Sequence, residues 1–149
     1  MLRKILVTSL FCGLALWGHT AKSDELELGF GPGFGTYTLP VEIVGVGRRD
    51  LTFDTGASYT VLDKKDLEPL KLKSKRRASV FLPHEGQRKA AEFVVIPKMR
   101  IGECVLHDRT VVVMDLPEGR PGALGMSELE WLHPFTFLGN GNLRFRCRR

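Results

Sequence analysis

The chain has 149 residues, 43% of them hydrophobic and 26% charged, with a formal net charge of +5. That length suits one domain of common size, and no internal repeat or heptad points to a solenoid or coiled coil. The positive charge is unevenly placed. Arg3, Lys4 and Lys22 lie in the first 23 residues, which hold no acidic residue, and without them the net charge falls to +2. Nucleic-acid binding argued from overall basicity therefore loses most of its support.

In chain order, Arg3 and Lys4 precede an apolar run of 13 residues from Ile5 to Trp17. A bilayer span needs about 20 such residues, so no stable membrane span is expected, whereas the run suits the core of a signal peptide. Ala21-Lys22-Ser23 places small residues where a signal peptidase reads, and Leu10-Phe11 before Cys12 lacks the small residues of a lipoprotein signal. Residues 1–23 are thus expected to direct export to the periplasm or beyond, leaving a mature chain of about 126 residues from Asp24, with an uncleaved amphipathic anchor as the weaker alternative. Residues 24–36, with Gly29, Gly31, Gly33 and Gly35 between Phe30, Pro32 and Phe34, read as a flexible arm.

Residues 37–149 form the expected domain. Leu39, Val41 and Ile43 alternate with Thr38, Pro40 and Glu42, and Gly45-Val46-Gly47-Arg48 closes a hairpin whose second strand runs through Leu51 to Phe53. Asp63 is placed to cap a short helix through Leu67, ended by Pro69. Residues 78–82 and 87–96 read as the arms of a hairpin with Pro83-His84-Glu85-Gly86 at its tip. Residues 98–101 and 109–114 supply further strands about a turn near Gly102-Glu103. A Pro- and Gly-rich loop over 115–122 leads to a helix over 126–133, and strands over 135–138 and 143–147 close a hairpin at Asn140-Gly141.

Two segments carry chemistry. Residues 53–62 read FDTGASYTVL and put Asp54 on a tight Gly turn between two strands. Residues 123–132 read ALGMSELEWL, two apolar residues and a Gly just before the predicted helix. Gly125 follows Asp54 by 71 residues. In this order and at this spacing the motifs resemble those of the retropepsin-like aspartic peptidases, in their bacterial single-domain form, over roughly residues 37–146. The resemblance implies a mostly β, single-domain acid-protease barrel with one short C-terminal helix. It also implies an aspartic endopeptidase in which Asp54 is catalytic and Thr55, Gly56, Ala57 and Ser58 complete the active-site loop. By the same resemblance Thr55 locks two such loops together, Gly56 leaves room for substrate backbone and Ala57 lines the floor. Pro83, His84, Glu85 and Gly86 would form the tip of a flap over the substrate, and Ala123, Leu124 and Gly125 the closing triplet.

Aspartic peptidases need two carboxylates about one water, but the chain holds a single Asp-Thr-Gly. A working site therefore calls for a two-fold homodimer that brings two Asp54 side chains together around an extended polypeptide. No cofactor and no metal is required. The sequence departs from viral members at Ser58 and Met126, where those enzymes usually carry an acidic residue and an Arg that pair with each other.

Other residues give weaker signals. His84, His107 and His133 with Cys104 and Cys147 lack metal-site spacing. Ser58, Ser74, Ser79 and Ser127 lack a Gly-x-Ser-x-Gly setting. Cys104 and Cys147 are candidate disulfide partners in an exported chain, within one subunit or between two, and two buried free thiols fit the pattern equally well. Val61, Val80 and Leu124 suggest an apolar lining. The alternative function is a non-catalytic peptide-binding module on the same fold; a third reading has the basic tail, Arg144 to Arg149, meeting anionic lipid.

Overall fold

A computed structural model describes residues 25–29, 31–33, 36–82 and 86–148. The segment expected to be a signal peptide lies outside them, and among the described residues no helix is long and apolar enough to cross a membrane. The described residues form a single, mostly β domain with two short α-helices. The elements run β1 (Glu25–Gly29), β2 (Gly31–Gly33), β3 (Thr36–Ile43), β4 (Gly47–Phe53), β5 (Val61–Asp63), α1 (Lys64–Leu67), β6 (Arg76–Leu82), β7 (Gln87–Ile101), β8 (Cys104–Met114), β9 (Ala123–Leu124), α2 (Met126–Leu129), β10 (Phe135–Phe137) and β11 (Asn142–Arg146).

Eight strands form one sheet in the order β2-β3-β4-β9-β5-β8-β7-β6, and β3 also pairs with β7, with Val41 opposite Ile101 and Ile43 opposite Met99. That pairing closes β3, β4, β9, β5, β8 and β7 into a barrel, so those six strands need no free edge. Alternate residues fill it: Leu39, Val41 and Ile43 from β3, Ile96, Met99 and Ile101 from β7, and Val111 and Val113 from β8 are all buried. Val112, on the opposite face of β8, packs into a second, smaller cluster with Ala91, Phe93 and Met114, bordered by Val61, Ala78 and Val80. The C-terminal end of β8 is therefore covered on both faces.

Beside the barrel, β1, β11 and β10 form a three-stranded antiparallel sheet. Leu143 and Phe145 of β11 turn into the core while Arg144 and Arg146 face outward, as the alternation of the sequence predicts. A disulfide within the chain joins Cys104, at the start of β8, to Cys147, just after β11, and ties this sheet to the barrel.

Three sequence expectations need correction. The Gly-rich stretch read as a flexible arm holds β1, registered with β11 from Glu25–Arg146 to Gly29–Asn142, and β2, paired with β3. Partner strands, rather than the Gly-rich composition, decide its conformation. The strands expected over 87–96 and 98–101 are one strand of 15 residues, β7, which runs through Pro97. The expected helix over 126–133 is shorter: four α-helical residues continue as a 3-10 turn from Glu130 to Leu132. The cap at α1 is as expected, with the Lys65 N–H donating to Asp63 Oδ1 at 3.0 Å, and a 3-10 turn containing Pro69 follows.

Candidate functional site

Asp54 stands where β4 ends and the barrel is most tightly interleaved. β9 is inserted between β4, to which it is parallel, and β5, to which it is antiparallel, with Phe53 opposite Leu124 and Val61 opposite Ala123. The two motifs, far apart in sequence, are thus neighbours in one sheet. The Asp54 N–H donates to the Leu124 carbonyl at 3.1 Å, and the Ala57 N–H to the Asp54 carbonyl at 3.3 Å. The Gly56 N–H donates to Asp54 Oδ1 at 2.8 Å, which directs the half-buried carboxylate over its own turn. Thr55, Gly56 and Ser58 are exposed, and Ala57 is half-buried.

The triplet holds this loop from below. Leu124 is fully buried. The Gly125 N–H donates to the buried Thr60 hydroxyl at 3.0 Å, and the Met126 and Ser127 N–H groups donate to the Ala57 and Ser58 carbonyls at 2.8 and 3.1 Å. These N–H groups open a helix and have no partner within it; the loop supplies their acceptors. Contact is so close that a Cβ on Gly125 would stand 2.4 Å from the Tyr59 carbonyl carbon and oxygen, and one on Gly122 would stand 2.2 Å from the Val61 oxygen. Glycine is required there for want of space.

Around this centre, Tyr59 is 40% exposed and meets Phe93 edge-on at 5.1 Å, while Arg76 stacks on the same Phe93 ring at 4.3 Å. On the other flank Phe53, next to Asp54, contacts Phe135 and Phe137 edge-on, each at 5.4 Å. Phe137 and Tyr37 remain more than half exposed. β6 and β7 form the long hairpin expected between the motifs, paired from Arg76–Phe93 to Leu82–Gln87. Of its expected tip, Pro83, His84 and Glu85 lie outside the described residues, while Gly86 is an exposed turn residue at φ +64°. Val61 and Val80 border the second cluster, whereas Leu124 belongs to the barrel core rather than to any open lining.

His107 and His133 are exposed and far from forming a ligand set; among the described residues no group of three or more His, Cys, Asp or Glu side chains could hold a metal ion. The sequence reading missed a buried ion pair behind the loop. Glu128 is fully buried and accepts from Arg109 Nε at 3.3 Å and from the Ser127 hydroxyl at 2.6 Å. An acidic residue in the first turn of a helix looks like an ordinary complement to the helix dipole, and nothing local announces its partner 19 residues away on β8.

Comparison with known proteins agrees with the fold. A family model described as aspartyl protease matches residues 39–127, which include Asp54 and the Ala123-Leu124-Gly125 triplet. Among solved structures, a retropepsin-like aspartic protease from Rickettsia conorii superposes with a TM-score of 0.55 at 23% identity, covering 81% of this chain and 89% of that one. The EIAV protease in complex with an inhibitor gives a TM-score of 0.45 at 19% identity, covering 67% of this chain and 91% of that one. No curated protein matches.

Proposed function

The chain belongs to the aspartyl protease family, and from that premise we propose that it is an exported aspartic endopeptidase that works as a two-fold homodimer. The observation that carries this reading is Asp54 itself: one carboxylate on a turn fixed by the Leu124-Gly125 segment, in a chain with no second Asp-Thr-Gly. In the dimer two Asp54 carboxylates face one water. Like charges about 3 Å apart cannot both ionise, so the pair shares one proton. The ionised member takes a proton from the water as its oxygen attacks the scissile carbonyl carbon. The protonated member hydrogen-bonds to the carbonyl oxygen, and the collapsing intermediate releases the amine after that nitrogen is protonated.

The exposed Thr55 hydroxyl is available to a partner loop, and Gly56 and Ala57 present backbone to an extended substrate. The β6–β7 hairpin serves as the flap, with Pro83 to Gly86 at its tip, and excludes water when closed. The aromatic flank of Phe53, Phe135, Phe137 and Tyr37 adjoins Asp54 and gives a second subunit an apolar surface beside the site. Export follows from residues 1–23, read as a signal peptide.

The test is to incubate the mature chain and Asp54→Asn with a mixture of unstructured peptides between about pH 3 and pH 7, with cuts read by mass spectrometry and mass in solution by sedimentation. Bell-shaped cleavage by a dimer, absent in the variant, is expected. No Asp54-dependent cleavage by a sample shown to be dimeric would overturn the peptidase reading and leave a peptide-binding module on this fold.

A further inference from the structure

Among the described residues Glu128 is the one buried charged side chain, with 0% of its surface exposed. A carboxylate taken out of water needs a charge partner and hydrogen bonds to persist there. Glu128 has both, and all of its partners converge on Ser127. Arg109 reaches in from β8 with its side chain 19% exposed and its guanidinium 5.0 Å from the centre of the Trp131 ring. Its Nε donates to Glu128 Oε1, and its Nη2 donates to the Ser127 carbonyl at 2.7 Å.

Ser127 is consequently held at every polar atom it has. Its N–H is on the Ser58 carbonyl and its carbonyl on Arg109. Its hydroxyl donates its one proton to Glu128 Oε2 at 2.6 Å, which leaves an oxygen lone pair to accept the Thr60 N–H at 3.2 Å. Glu128 thus fixes the direction of the hydroxyl, and the hydroxyl fixes the backbone at Thr60. Residues 57–60 are gripped at four points: the carbonyls of Ala57 and Ser58, the N–H of Thr60 and the hydroxyl of Thr60. These residues close the turn whose Gly56 and Ala57 N–H groups both end on Asp54.

We propose that Arg109, Glu128 and Ser127 are positioning residues for Asp54: a buried ion pair that holds the active-site turn in shape through a single serine hydroxyl. The catalytic part of this inference rests on the peptidase reading above; the clamp itself does not. It accounts for how Ser58 and Met126, neither of which carries a charge, coexist with an ordered loop. The restraint comes from the residue after Met126 and from β8 instead.

The test uses Ser127→Ala, Ser127→Thr and Glu128→Gln in the mature chain, with peptide cleavage, melting and amide hydrogen exchange followed in parallel. Ser127→Ala and Glu128→Gln are expected to lower kcat about tenfold or more, with KM changed by less than about twofold. Ser127→Thr keeps the hydroxyl and is expected to recover most of the loss. In Ser127→Ala the Gly56 and Ala57 amides, one step removed from the substitution, are expected to exchange about tenfold faster than in the wild type. If the wild type shows no cleavage that depends on Asp54, the peptidase reading fails, and the exchange of Gly56 and Ala57 alone decides the clamp. Unchanged exchange at those two amides would overturn the inference. So would a Ser127→Thr variant as slow as Ser127→Ala with a kcat loss that merely follows the melting midpoint.

Discussion

The centre of the molecule, residues 51–62 with 122–129, and the β6–β7 hairpin are built from the same kind of strand, yet they are held in opposite ways. At the centre, bonds join residues far apart in the chain: the Thr60 N–H to Ser127 across 67 positions, and the Gly125 N–H to Thr60 across 65. In the outer arm of the hairpin the ladder is local, from Arg76–Phe93 to Leu82–Gln87, and most of β6 is exposed. Glycines mark the same division. A Cβ on Gly122 or Gly125 would collide with backbone, whereas one on Gly86 would meet nothing within 4 Å. The centre is cross-tied through distant segments, whereas the outer arm of the hairpin is tied mainly through its own local ladder.

The strongest attack on this contrast is to add one methyl group at each place. Gly125→Ala forces a carbon against the Tyr59 and Ala57 carbonyls and is expected to cost about 3 kcal/mol of stability and any cleavage activity. Gly86→Ala pays only for a left-handed backbone angle in open space, about 1 kcal/mol. Denaturant midpoints of the two variants measure the difference. Equal losses would mean that the centre relaxes as readily as the hairpin.

A subtler change removes one acceptor. Thr60→Val keeps the shape of a fully buried side chain but leaves the Gly125 N–H without its hydroxyl partner, at an expected cost of about 2 kcal/mol. Ser79→Ala removes a hydroxyl from the exposed face of β6 and is expected to stay within about 0.5 kcal/mol of the wild type. Urea titrations of both variants test whether buried hydroxyl bonds, rather than strand pairing in general, carry the stability of the centre.

How far the sequence revealed this arrangement depends on how local each signal is. Asp54 with its Gly turn and the Ala123-Leu124-Gly125 triplet are short contiguous motifs, legible as patterns, and at Gly125 the residue type follows from close approach. Alternation exposed β3 and β11 for the same reason: each has one face in the core. Pro97 hid the length of β7, because a proline suggests a strand end. Here it stands across from Asp108, which sits at φ +50°, and the ladder resumes on either side at Ile96–Arg109 and Lys98–His107. The Gly-rich strands β1 and β2 were hidden because their conformation comes from partners at the other end of the chain and in β3. Arg109 and Glu128 were hidden because a pairing between a strand and a helix start leaves no period to read.

The smallest expected effect concerns the one titratable tie at the base of the hairpin that shows a displaced pKa. Lys64 Nζ, at the start of α1, lies 3.3 Å from Glu92 Oε1 on β7, with the side chains 58% and 30% exposed. The hydrogen bond from Lys64, then that from Ser74, then the Lys64 charge hold the Glu92 carboxyl below its ordinary value, and its modest burial opposes them. A carboxylate whose pKa is lower in the folded chain stabilises that state above the unfolded value of about 4.3. The contribution disappears as pH falls through the folded value. The melting midpoint of the wild type should therefore exceed that of Glu92→Gln slightly at neutral pH, and the two curves should converge in acid as the Glu92 carboxyl is protonated. The pair is exposed enough that salt should shrink the gap. A gap that persists unchanged in acid would mean that the Glu92 stem acts by packing. Convergence would sharpen the contrast, since this hairpin tie rests on a carboxylate, whereas the Gly125–Thr60 and Asp54–Leu124 bonds of the centre join only a hydroxyl and backbone groups.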